Sequence, residues 1–205
     1  MSNTDHVVQH LPTALKEEND RLKARLHQLE EDNERLLREK NHLYDLAYRD
    51  PLTGLSTRRV YQEVMDTLPH RVGPVSLVMV DLDNFHQINS KFGHSGGDQV
   101  LIRVGKTILD EAFDTDFCVR LGGEEFAIIL RDCDESGAQK FAERLHGRIR
   151  DRVVHLNDGR IVKVTASLGY AQYRPGEDTR AFYDRVDQAL YVAKSTGRDC
   201  IRLAG

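Results

Sequence analysis

Arg120-Leu121-Gly122-Gly123-Glu124-Glu125-Phe126-Ala127-Ile128-Ile129-Leu130 sets two glycines and two adjacent carboxylates at the head of an apolar run. Gly-Gly between extended arms supplies the positive φ angles that a two-residue hairpin turn requires, so the stretch predicts a tight hairpin with Gly122 and Gly123 at its tip. Glu124 and Glu125 follow at once. Adjacent like charges repel and add nothing to strand packing. A tip without side chains, however, lets a ligand approach the backbone, and paired carboxylates suit a metal-bound phosphate. Solvated glutamates on an exposed tip are the plain alternative for this segment alone.

Partners elsewhere in the chain decide between the two. Val75-Ser76-Leu77-Val78-Met79-Val80 is apolar on both faces and reads as a central strand. Its far end carries Asp81-Leu82-Asp83-Asn84-Phe85, two acids at i and i+2 where α/β sheets commonly put ligand chemistry. Asn89 lies eight residues after Asp81, and Asp98 follows a Gly93-His94-Ser95-Gly96-Gly97 loop, a position that also suits a helix N-cap. Lys194 ends the last helix and Arg198 follows Gly197, although cations there are also ordinary partners of a helix C-terminus. Helices are expected at residues 57–68, 98–109, 134–150 and 179–194, and a further strand at 161–171. The order implies an α/β sandwich with much antiparallel pairing.

Residues 14–49 form a separate zone. Leu15, Leu22, Leu29, Leu36 and Leu43 recur every seven residues with no Gly or Pro between them, the pattern of a coiled coil. With these leucines at d, the a positions are Asn19, Leu26, Asn33, Lys40 and Ala47. Buried asparagines at a select a parallel, in-register pair, and Glu18 with Lys23 and Arg25 with Glu30 make attractive pairs across the seam. A single solvated amphipathic helix is the competing reading. The chain therefore divides into a tail at 1–13, a dimerisation stalk at 14–49 and a domain at 50–205, opened by Asp50-Pro51, since the residue before proline is pushed out of the α region.

With 205 residues, 40% hydrophobic and 30% charged, the chain has room for one well-buried domain plus that appendage. A net charge of −4 argues against a nucleic-acid binder that works by bulk electrostatics. The three cysteines lack CxxC spacing and the nine histidines lack HExxH, so neither a disulfide framework nor a transition-metal site is expected. No run approaches the ~18 apolar residues of a membrane span, and a cytoplasmic chain is the simplest expectation. A leucine-zipper DNA binder needs a basic region before the zipper, whereas residues 1–15 hold no Lys or Arg. No G-x-x-x-x-G-K-[ST] P-loop is present.

Together these segments resemble the GGDEF family of diguanylate cyclases, which join two GTP into cyclic di-GMP. Asp50-Pro51-Leu52-Thr53-Gly54-Leu55 matches the family's opening DxLTGL, and Asp81-Leu82-Asp83-Asn84-Phe85 its DxDxF. Asn89, Gly93-His94 and Gly97-Asp98 match N-x-x-x-G-H-x-x-G-D, and Gly122-Gly123-Glu124-Glu125-Phe126 is the GGEEF form of the signature. Ser167-Leu168-Gly169 and Ala189-Leu190-Tyr191-Val192-Ala193-Lys194 through Gly197-Arg198 match its closing segments. The resemblance implies a nucleotidyl-cyclase-like α/β (α+β) fold, a central and mainly antiparallel sheet flanked by helices. It further implies that Asp81, the Leu82 carbonyl, Glu124 and Glu125 hold Mg²⁺ or Mn²⁺, two ions per GTP. Glu124 is the favoured base for the 3′-hydroxyl; sequence leaves open which glutamate does which job. Asn89 and Asp98 would read guanine, Lys194 and Arg198 would neutralise phosphates, and Asn84, Phe85, Gly122 and Gly123 would complete the substrate site. Each domain would bind one GTP, so catalysis would need two domains face to face, and a protein that binds the stalk would be able to regulate it. A catalytically silent GGDEF module that binds GTP or a partner protein is the alternative. The chain departs from the family's common residues at Thr57, His86 and Ser90, and the arginine of the usual inhibitory RxxD is replaced by Phe113, three residues before Asp116.

Overall fold

The structure, a computed structural model, describes residues 13–205. The expected tail at 1–13 therefore lies outside the described residues apart from Thr13. The chain divides into two units, one ending at Asp45 and one spanning Leu46–Gly205. Helix α1 runs over Thr13–Tyr48, where good helix formers are uninterrupted by Gly or Pro. Its surface carries intrahelical ion pairs such as Asp32 with Arg35 and Glu34 with Arg38. Leu15, Leu22, Leu29, Leu36 and Leu43 are each more than half exposed in the single chain. No helix among the described residues is long and apolar enough to cross a membrane.

The second unit is built from β1 (Ser56–Thr57), α2 (Arg58–Thr67), β2 (Val75–Leu82), α3 (Phe85–Glu111), β3 (Phe117–Gly122), β4 (Glu125–Arg131), α4 (Glu135–Asp151), β5 (Val153–His155), β6 (Ile161–Lys163), β7 (Ala166–Gln172), α5 (Thr179–Ser195) and β8 (Ile201–Leu203). Six strands form one sheet in the order β1-β3-β4-β2-β7-β8, while β5 and β6 pair separately. The β1–β3 and β7–β8 pairs are parallel and the pairs between them antiparallel, so the sheet is mainly antiparallel, as expected. β2 is buried at every position. Its alternating side chains explain why it is apolar on both faces: Val78, Val80 and Leu82 pack with α3 and α4, and Val75, Leu77 and Met79 with α2 and α5.

The fold differs from the sequence reading at three points. The helix expected at 98–109 begins at Phe85 and continues through the glycine-rich segment. Only Gly93 breaks it, at φ 75 and ψ 167, a kink that glycine adopts without a Cβ penalty. Asp98 is thus inside a helix and caps nothing. The strand expected at 161–171 is two strands, because the chain changes sheets between Lys163 and Ala166. Third, β1, β5 and β8 are too short to show periodicity, and the sequence reading has no counterpart for them. Gly169, by contrast, has a packing reason: a Cβ there would come within 2.5 Å of the Leu190 amide and 2.6 Å of the Val186 carbonyl, so its absence lets α5 lie directly on β7.

Candidate active site

The β3–β4 hairpin is tight, but its tip is one residue further along than the glycine pair suggests. Gly122 pairs with Glu125, leaving Gly123 and Glu124 as the two-residue turn, and the register slips at Leu121. Gly122 and Gly123 sit at φ 152 and 50, which explains both glycines. Arg120 fixes the tip, donating from Nε and Nη2 to the Gly123 carbonyl at 3.0 and 2.8 Å. The same guanidinium reaches both oxygens of Asp50 at 3.1 and 3.2 Å. Asp50 also accepts from the Thr53 amide and hydroxyl, so the opening Asp50-Pro51-Leu52-Thr53 turn buttresses the hairpin. Burial pushes the Asp50 carboxyl upward, but the bonds from Thr53 and Arg120 outweigh it and hold the carboxyl below its usual range.

This scaffold gathers the acids at one end of the sheet. Asp81 lies opposite Glu125 across β2 and β4, and the Leu82 amide donates to the Glu124 carbonyl at 3.3 Å. Lys194, in the last turn of α5, reaches Asp81 at 2.7 Å. Burial pushes the Asp81 carboxyl up to about 6; Lys194 opposes the rise, and the charges of Glu124 and Glu125 add to it. Asp81 with the nearby charges of Glu124 and Glu125, against one lysine, leaves a local excess of negative charge and only oxygen donors. That donor set fits a hard divalent cation such as Mg²⁺. Among the described residues no three metal-ligating side chains are already converged into a cage.

The base-reading candidates come together across the kink in α3. A Cβ on Gly97 would collide with the Asn89 side-chain oxygen and come within 3.1 Å of the Phe85 ring. Asn89 therefore packs over Gly97, next in sequence to the exposed Asp98. Phe85 is buried in the core beneath them, so its side chain supports the site from behind. Asn84 is exposed and left-handed at φ 54, at the entry to α3. Arg198 is exposed, in a left-handed turn at φ 63. A groove of about 690 Å³ along Gln87, Lys91 and residues 161–165 shares only Asn84 with the sequence-derived set. Of the three acids, Asp81 is buried, Glu124 half-buried and Glu125 exposed.

Comparison with known proteins agrees with this geometry. Residues 47–200 match the family described as "Diguanylate cyclase, GGDEF domain". The chain belongs to the GGDEF family. Diguanylate cyclase DgcP of Pseudomonas aeruginosa is 35% identical over 171 residues, covering 80% of this chain and 25% of DgcP. The crystal structure of the coiled coil and GGDEF domain of DgcB from Caulobacter crescentus, in complex with c-di-GMP, matches with a TM-score of 0.84 at 28% identity, covering 89% of this chain and 99% of that one. Diguanylate cyclase SiaD of Pseudomonas aeruginosa, solved with its activator SiaC, matches with a TM-score of 0.74 at 33% identity, over 93% of this chain and 76% of that chain. The chain spans less than half the length of the first curated relatives it matches, 44%, 25% and 34%.

Within this GGDEF domain the supporting contacts of two motif acids escape sequence reasoning. Asp83 is buried and accepts from the Thr165 hydroxyl, the Ser167 hydroxyl and the Asp199 amide at 2.7, 2.7 and 2.9 Å. It ties the end of β2 to β7 and to the turn after α5. Asp50 does the same for the hairpin. Both fall inside motifs, which marks them as important, but their partners lie too far along the chain for spacing to reveal.

Proposed function

We propose that this chain is a diguanylate cyclase, joining two GTP into cyclic di-GMP with release of two pyrophosphates. The observation that carries this reading is the gathering of Asp81, Glu124 and Glu125 with Lys194 at one end of the sheet. Asp81, the Leu82 carbonyl, Glu124 and Glu125 would hold Mg²⁺ or Mn²⁺, two ions per GTP. Bound there, such ions would supply screening of the triphosphate charge and polarisation of the α-phosphate. Glu124 takes the proton of the ribose 3′-hydroxyl, whose oxygen attacks the α-phosphorus of the GTP on the facing domain. The bond to the β-phosphate oxygen breaks and pyrophosphate leaves; the reciprocal attack closes the ring. Lys194 and Arg198 neutralise the phosphates. Incubation with GTP and Mg²⁺, followed by chromatographic identification of the product, tests this directly: recovery of unchanged GTP, or of GDP alone, refutes it.

Guanine selection belongs to Asn89 and Asp98. A carboxylate at 98 accepts from the N1–H and exocyclic amine of guanine, a donor pair that adenine does not present. Asn89→Ala and Asp98→Ala are each expected to weaken GTP binding and reduce preference for GTP over ATP by about ten- to a hundredfold, because a polar edge left unpaired is costly. Competition binding of the two nucleotides reads the ratio, and an unchanged ratio in both variants removes these residues from the role.

Product feedback through the usual RxxD position is expected to be weak. Phe113 supplies no donors, and Asp116 is already engaged, accepting from the Phe113 amide at 3.0 Å and the Arg131 amide at 3.1 Å. Tight noncompetitive inhibition by cyclic di-GMP that disappears on Asp116→Asn contradicts this.

The stalk is best read as a parallel homodimer through residues 14–49, with the five exposed heptad leucines as its seam. A protein bound to that stalk is the kind of regulator the architecture admits; SiaD, with a similar fold, was solved with an activator. A cytoplasmic location suits an enzyme that consumes GTP.

A further inference from the structure

Gly197, Arg198 and Asp199 stand consecutively at φ 120, 63 and 45. Two neighbouring non-glycine residues in the left-handed region persist only where their surroundings hold them there. Three ties do so. The Arg198 amide donates to the Ala193 carbonyl at 3.1 Å, and the Asp199 amide to Asp83 at 2.9 Å. The third comes from outside the site: His146 Nε2, on α4, stands 2.8 Å from Asp199 Oδ1. His146 is buried; the two atoms approach at ion-pair distance without hydrogen-bond alignment, and neither has a hydrogen-bond partner elsewhere.

We propose that His146 and Asp199 are a positioning pair that holds the Arg198 turn and presents its guanidinium to the GTP phosphates. The inference rests on the reading of Arg198 as a phosphate ligand. The contact acts in two ways. It fixes the backbone that carries Arg198 to α4, a helix packed into the core. It also engages a carboxylate that, set free, would compete with the phosphates for Arg198 and repel them. Asp83 joins the same turn to β2, so the acidic end of the sheet and the cationic turn are held by one connected set of bonds.

The test measures affinity for a non-reacting GTP analogue with Mg²⁺, together with KM and kcat, in the full chain. His146→Leu is expected to weaken binding and raise KM about tenfold with kcat within about threefold, and His146→Gln, which keeps a donor, to recover most of the loss. Asp199→Ala, at a partly exposed site where folding is less at stake, should reproduce the effect, and the double variant should be no worse than either single one. In an Arg198→Ala background His146→Leu should change affinity less than about twofold. If Arg198→Ala weakens binding while His146→Leu and Asp199→Ala do not, the pair has no positioning role. If Arg198→Ala itself leaves binding unchanged, the phosphate reading of Arg198 falls and takes the inference with it.

Discussion

Glu124→Ala is expected to lower cyclic di-GMP formation by about a thousandfold or more while the domain stays folded. Removing a general base alone costs about a hundred- to ten-thousandfold, and here a metal-coordinating charge goes with it. Glu124 sits in the hairpin turn and belongs to neither core cluster, so little packing is lost. Asp81→Asn is expected to be equally inactive, with a further consequence for stability. Burial, helped by the charges of Glu124 and Glu125 and only partly opposed by Lys194, raises the Asp81 pKa from its ordinary 3.8 to about 6, so the folded state holds this proton more tightly than the unfolded chain. Asp81 thus favours folding below pH 3.8, and that contribution is lost as pH rises through about 6. At pH 7 the buried charge costs at most about 3 kcal/mol, a figure already net of the attraction to Lys194. The metal-free Asp81→Asn protein should therefore melt no lower than the parent at pH 7, and any advantage should shrink toward pH 4. Thermal denaturation with a chelator, alongside product chromatography, checks both halves. Near-parental turnover in a folded Glu124→Ala protein overturns the mechanism.

Deleting residues 1–43 is expected to give a folded but largely monomeric domain whose specific activity climbs steeply with protein concentration. Residues 46–205 carry both core clusters by themselves. The truncation removes the stripe of Leu15, Leu22, Leu29, Leu36 and Leu43, each leucine worth about 1.5–3 kcal/mol when fully buried. Without it two GTP-loaded domains must meet by diffusion, whereas tethering raises their effective concentration to about the millimolar range. At nanomolar protein the truncated form should be about a hundredfold less active per domain. Asn19 and Asn33 at a positions favour the parallel, in-register pair that puts both domains at the same end. Equal activity of the two proteins at that concentration, or a monomeric full-length chain in sedimentation, refutes the role of the stalk.

Local pattern carried much of this. Heptad leucines without breakers specify α1, a doubly apolar run specifies β2, and Gly122-Gly123 specifies a tight turn between β3 and β4. Each is read within one element, where side-chain period and backbone preference act over a few residues. The family motifs contain Asp81, Glu124, Glu125 and Lys194, which the fold brings to one end of the sheet. The turn itself lies at Gly123 and Glu124 because cross-strand pairing of Gly122 with Glu125 wins over the simpler placement. Asp98 lies mid-helix because a single left-handed Gly93 lets α3 kink and continue.

The amino-acid sequence by itself determined the long helix α1, the central strand and the hairpin, and it nominated the candidate metal, base and phosphate residues. Only the tertiary structure decided how they are held: Arg120 bridging Asp50 to the hairpin tip, Asp83 joining β2 to β7 and the Arg198 turn, and His146 meeting Asp199. These partners lie on different elements, 116 residues apart in the case of Asp83 and Asp199. No local periodicity encodes such meetings. They follow from the order of strands in the sheet and from which helix covers which face.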